Sequence, residues 1–109
     1  MDTLSLAELM QANAERQKLW DPENKIDIAY RGNELAGEVG EACNLIKKVR
    51  REQLGLPGSR ADLNHLAEEL ADVVICVALC AAEVNVDLGA AVRRKFNLTS
   101  DAVGFPIKL

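Results

Sequence analysis

The stretch LAEELADVVICVALCAA, residues 66–82, constrains this chain most, because over residues 73–82 it is apolar on every side of a helix. A surface helix carries one apolar stripe, whereas a helix apolar all round has to be enclosed. One neighbouring helix cannot enclose it. The segment therefore sits centrally in a bundle or against another subunit, and it is too short to span a bilayer. Just ahead of it stand Glu69 and Asp72, three residues apart and so on one helical face. A carboxylate at the edge of an all-round apolar helix is not freely solvated, and burying a charge is costly unless something answers it.

A second stretch, NELAGEVGEACNLIKK at residues 33–48, carries Glu34, Glu38 and Glu41 at steps of four and three. At about 100° per residue the three carboxylates fall within roughly 60° of one another on a helix. Leu35, Val39, Ala42, Leu45 and Ile46 run along or beside that stripe, so the acids border the buried face. Like charges held there repel one another until a cation or a set of basic side chains answers them. If the two helices pack side by side, Glu38, Glu41, Glu69 and Asp72 converge. A ligand set of carboxylates without His or Cys suits a hard cation, Mg2+ or Mn2+, better than zinc. The plainer alternative is that these are surface acids paired with lysines. Two such pairs on two apolar helices weigh against it.

EVGEA followed by EELADVV resembles the MazG-like all-α NTP pyrophosphohydrolase family, whose signature is E-x-x-E, a spacer, then E-x-x-D. Here that signature falls on Glu38, Glu41, Glu69 and Asp72, and the tail DLGAAVRRKFNLTSDAVGFPIKL is similar to the segment that follows it in small single-domain members. The resemblance covers the chain from about Tyr30 onward. It implies an oligomeric four-helix-type bundle, a single domain over residues 1–109, and cleavage of a (d)NTP to the monophosphate and pyrophosphate. It also implies Mg2+, with Mn2+ as a substitute, held by Glu38, Glu41, Glu69 and Asp72. Glu34 is then an outer ligand or the base that takes the water's proton, with Glu38 its catalytic neighbour. In the family, a lysine and an asparagine of the segment after the second motif approach the phosphates near the metals, which points to Lys95 and Asn97. Family members differ in substrate, and dGTP is among the candidates. Phosphoribosyl-ATP and dUTP pyrophosphohydrolases share the fold and metal chemistry and are rivals within the enzyme class. The rival outside it is a non-catalytic oligomerising helical module that binds nucleotide or a partner protein.

The rest of the chain fits a helical protein. Nearly half of its residues, 49%, are hydrophobic but only 4% are aromatic, which favours helix packing over sheet. A net charge of −4 argues against non-specific binding to nucleic acid or anionic membranes. MDTLSLAELM has an acid at position two and no basic region, so no signal peptide is expected and the expected location is cytoplasmic. Cys43, Cys76 and Cys80 lie in apolar helical patterns and read as small buried hydrophobes of a reducing compartment. A glycine-rich P-loop is absent.

In chain order, residues 4–19 form a first helix with Leu4, Leu6, Leu9, Met10, Ala14 and Leu19 as its apolar stripe. Asp21-Pro22 ends it. Trp20, at that end, is either a packing anchor or a ring that stacks on a nucleobase. The long helix starts near Ile26 to Ile28 and runs to about Arg51. Gly37 and Gly40 within it either admit a close neighbour or are tolerated defects. Of the basic residues in KKVRRE, Lys48 lies nearest the acidic stripe by angle and is the one expected to reach a phosphate. QLGLPGSRAD turns the chain back, Asp62 caps the third helix, and Asn85 takes a left-handed turn. Asp87 caps a short last helix over residues 88–96, and residues 99–109 are expected to be irregular. A small domain with an all-round apolar helix is expected to assemble as a homodimer or homotetramer.

Overall fold

The computed structural model describes residues 3–109; Met1 and Asp2, the acid used in the N-terminal reading, lie outside the described residues. Four helices follow one another: α1 Leu6–Trp20, α2 Ile28–Gln53, α3 Leu63–Glu83 and α4 Leu88–Val103. No strand occurs among the described residues. The all-α expectation therefore holds.

Each start is set by a local side chain. Ser5, Asp27, Asp62 and Asp87 accept the backbone N–H of Glu8 (3.1 Å), Tyr30 (2.9 Å), Asn64 (2.8 Å) and Ala90 (3.0 Å), covering donors that a helix start leaves open. The α1–α2 loop closes on Asp21, whose carboxylate accepts from the N–H of Lys25 at 3.0 Å and Ile26 at 2.9 Å. Those two bonds, Lys25 first, hold the Asp21 carboxyl below its ordinary value. Asn24 (φ 53°) and Asn85 (φ 55°) take the left-handed turns on either side of the central helices.

α2 and α3 lie along one another, and α1 packs on α3. The buried apolar residues come from this group: Ala42 and Leu45 of α2, with Cys76, Ala78, Leu79 and Ala81 of α3. α3 is thus the central helix that its composition demands. One chain does not finish enclosing it, because Leu70 and Val74 remain 46% and 48% exposed. Two expectations for α1 fail. Leu4 and Leu19 are exposed, and the α1 residue that is buried is Asn13. The stripe turns inward only along Leu6, Leu9 and Met10, which are half-buried. A Cβ placed on Gly37 or Gly40 would meet nothing within 4 Å, so neither admits a close neighbour within the chain.

The last helix is longer than expected. It passes Phe96 and continues to Val103, where Gly104 at φ 76° ends it, with the Phe105 N–H returning to the Ser100 carbonyl at 2.9 Å. Nothing between Phe96 and Val103 breaks a helix. Thr99 directs its hydroxyl to the Lys95 carbonyl at 3.1 Å, which keeps that polar group inside the helix. The irregular part is therefore only residues 104–109. α4 bends away from α3 by 107° and packs chiefly on α1. This outward limb gives a radius of gyration of 17.1 Å, against about 13 Å for a compact chain of this length. No single helix among the described residues is long and apolar enough to cross a membrane.

Candidate active site

Where α2 and α3 run together, ligand oxygens of Glu38, Glu41 and Glu69 come within 4.8 Å of one another. α2 supplies the first two from adjacent turns and α3 the third, as the two E-x-x-acid spacings require. Glu38 and Glu69 are half-buried and Glu41 is exposed. Asp72 is not one of the three converging groups. It stands beside Glu38, close enough that its charge acts on it.

The electrostatics are those of an unanswered anion cluster. Burial, followed by the charges of Glu41, Asp72, Glu69 and Glu34, pushes the Glu38 carboxyl above its ordinary value of 4.5. One oxygen of Glu38 and one of Glu69, Oε2 in each, are buried with no hydrogen-bond partner. Among the described residues no Lys or Arg forms an ion pair with Glu38, Glu41, Glu69 or Asp72; the neighbour of Glu69 is His65, with Nε2 at 3.2 Å from Oε1. Lysine pairing therefore does not explain these acids. Converging carboxylates, two of which keep a buried oxygen without a partner, fit a hard divalent cation.

A cavity of about 310 Å³ opens beside the cluster, lined by Glu34, Glu38, Asp72 and Cys76 together with Arg16, Gln17, Trp20, Tyr30 and Arg31. That volume lies at the lower end of the range for small-molecule sites. Trp20 is 74% exposed, so it is not a core anchor of this chain, and its ring forms part of the cavity wall. Glu34 does not join the three converging acids. Arg31 donates to its Oε1 from Nη1 at 3.0 Å. Burial, then the charges of Glu34 and Glu38, pushes the Cys76 thiol up to about 11, so it stays protonated and inert.

The basic residues expected at the phosphates are placed differently. Lys48 is half-buried on α2 and does not line the cavity. Lys95 lines a separate apolar groove on α4. Asn97 is occupied elsewhere: its Oδ1 accepts the Leu109 N–H at 2.8 Å and its Nδ2 donates to the Leu109 carbonyl at 3.2 Å, tying the tail to α4. Within one chain, neither Lys95 nor Asn97 meets the acidic cluster, because α4 leaves the bundle. Arg31 was missed by sequence reasoning. It lies seven residues before Glu38 and three before Glu34, on the same helical stripe, and that spacing was the available signal.

Compared with known families, residues 31–99 match the model of the MazG nucleotide pyrophosphohydrolase domain. The match begins at Arg31, ends at Thr99 and takes in both acidic pairs, leaving α1 and the tail outside it. A comparison with curated proteins finds no significant match.

Proposed function

This chain belongs to the MazG nucleotide pyrophosphohydrolase family, and from that premise we propose that it is a metal-dependent enzyme cleaving a nucleoside triphosphate to the monophosphate and pyrophosphate. The family membership itself makes it a hydrolase of phosphoric anhydrides. The observation that carries the finer reading is the pair of buried, partnerless oxygens on Glu38 and Glu69 within the three-carboxylate group. Glu38, Glu41 and Glu69 would hold Mg2+, or Mn2+ in its place, with Asp72 completing the set beside Glu38. When bound, the ion neutralises phosphate charge and lowers the pKa of bound water.

The chain's own residues do the rest. Water adds to the α phosphorus, the bond from that phosphorus to the α-β bridging oxygen breaks, and pyrophosphate leaves. The water's proton passes to the carboxylate of Glu34, which lines the cavity one helical turn before Glu38. Trp20 and Tyr30 flank the base end of the cavity and offer ring faces for stacking. dGTP is the first substrate to try. Guanine presents acceptors that the donors of Arg16 and Gln17, both lining the cavity, would meet.

Assembly is part of the same proposal. α4 stands off its own α2, so Lys95 would approach phosphates in the cavity of a second copy, and the uncovered faces of α3 and α4 suit a homodimer or homotetramer. Lys48 would meet the terminal phosphates from the open side of the cluster. The cytoplasm is the proposed place of action, in keeping with thiols held free on α2 and α3.

The test is incubation of the purified protein with Mg2+ or Mn2+ and a panel of NTPs and dNTPs, with pyrophosphate and orthophosphate read separately. Monophosphate plus pyrophosphate, abolished by chelation, is the expected result, with dGTP turned over best. Orthophosphate as the sole inorganic product, or turnover insensitive to chelation, sinks the proposed reaction.

A further inference from the structure

Arg31 is a buried cation, its side chain only 4% exposed, at the edge of a cluster whose acids Glu38, Glu41, Glu69 and Asp72 form no ion pair with a Lys or Arg among the described residues. Its guanidinium touches all three packed helices. Nη1 donates to Glu34 Oε1 on α2 at 3.0 Å, Nη2 donates to Gln17 Oε1 on α1 at 2.5 Å, and Nε lies 3.7 Å from Glu83 Oε1 on α3. Its backbone carbonyl accepts the Cys80 thiol at 3.6 Å. Nε itself has no hydrogen-bond partner, so what fixes the group is the fork of Nη1 and Nη2.

That fork treats one acid differently from the rest. Glu34 has one oxygen clamped, whereas Glu38 and Glu69 each keep an oxygen without a partner. A glutamate side chain left to itself moves among many rotamers. The bond from a guanidinium that Gln17 holds in turn ties one oxygen of Glu34 at the cavity wall and narrows the rotamers open to it. Arg31 and Gln17 also line a second cavity with Lys18, Asp21, Asn24 and Glu83, so together they form the partition behind Glu34.

We propose that Arg31 is a positioning residue that acts through Glu34, holding its carboxylate at the one place beside the acidic cluster where it takes up the proton of the attacking water. The inference rests on the pyrophosphohydrolase reading. The side-chain partners of Arg31 are Glu34, Gln17 and Glu83 and include none of Glu38, Glu41, Glu69 and Asp72, so its loss is expected to act on turnover and to leave metal binding alone.

Arg31→Lys keeps the charge and removes the fork. The expected result is a kcat lowered about tenfold with KM within about threefold, and Mn2+ affinity, read by calorimetry, unchanged within about threefold. In a cycle with Glu34→Gln, Arg31→Met costs turnover in the wild-type background but less than about twofold more once Glu34 is gone. If Arg31→Met fails to fold, or Glu34→Gln falls below detection, the Arg31→Lys measurements decide alone. A wild-type kcat in Arg31→Lys, a drop matched by weakened Mn2+ binding, or multiplicative losses in the cycle would make Arg31 a structural tie and overturn the inference. Those outcomes occur with an active wild type. A wild-type protein that cleaves no nucleotide overturns the pyrophosphohydrolase reading and takes this inference with it.

Discussion

At the junction of α2 and α3, carboxylates are half-buried against Ala42, Cys76 and Leu79, whereas along α4 it is Val92, Phe96, Val103 and Phe105 that face outward, between 41% and 61% exposed. The first region hides charge and the second displays apolar surface. Both are unfavourable for an isolated chain, and each points to something that binds there. On the proposal above, a cation satisfies the acids. The groove of Ala91, Val92, Phe96, Val103 and Phe105 is an apolar surface, which on the same proposal a second copy covers. Within one chain, then, the acids of α2 and α3 already meet, whereas the apolar face of α4 is left uncovered.

The strongest way to break this comparison is at the acids. Glu38→Gln or Asp72→Asn is expected to lower turnover by a factor on the order of 100 or more, while the metal-free protein stays folded or melts higher because a repulsion has been removed. Pyrophosphate release together with a thermal melt checks both halves. Retained activity in both variants would end the assignment.

At the other end, Phe96→Asp is expected to halve the mass seen by light scattering. Each large apolar side chain withdrawn from an interface costs about 1.5–3 kcal/mol, and each kcal/mol lowers the melting temperature of a domain this size by about 4–8 °C. A wild-type protein that is already monomeric would refute the assembly reading.

Adding Mg2+ or Mn2+ sharpens the contrast, because it should stabilise only the acidic end. At a hundred times its Kd an ion that binds the folded state contributes about 2.7 kcal/mol. That rise in melting temperature should vanish with EDTA and be small in Glu38→Gln, but persist in the α4 variant.

The smallest effect concerns pH. Glu38 has its folded-state value raised, so the folded state binds its proton more tightly than the unfolded chain does. Its favourable contribution is complete below the ordinary value of 4.5 and is lost as pH rises through the raised value. Asp21, whose value is lowered, runs the other way: its contribution is present above the ordinary value of 3.8 and is lost as pH falls. In metal-free protein, stability should therefore decline as pH climbs above the usual carboxylate range, and Glu38→Gln should flatten that decline. Denaturant melts across pH measure the slope, and an identical slope in the variant would contradict the raised value.

Local signals explain what was readable beforehand. Asp62 and Asp87 cap the helices whose starts they announce, and Asn85 turns where expected, since each acts on neighbours within a few residues. The acidic stripe was readable for the same reason, as helical periodicity puts Glu38 and Glu41 on one face whatever surrounds them. The end of α4 was not legible because Asn97, Thr99, Ser100 and Asp101 are weak helix formers, and a buried Ser100 gives no sign of itself in composition.

The sequence by itself determined four helices, the central place of α3 and the two acidic pairs, because these follow from period, caps and apolar runs that act over a few residues. Only the tertiary structure decided that Glu69 joins Glu38 and Glu41 while Asp72 stands beside them, that Arg31 is buried under Glu34, and that Lys95 and Asn97 swing away on α4. Those outcomes depend on the angle and register at which helices distant in sequence meet, which packing as a whole sets and no local pattern encodes.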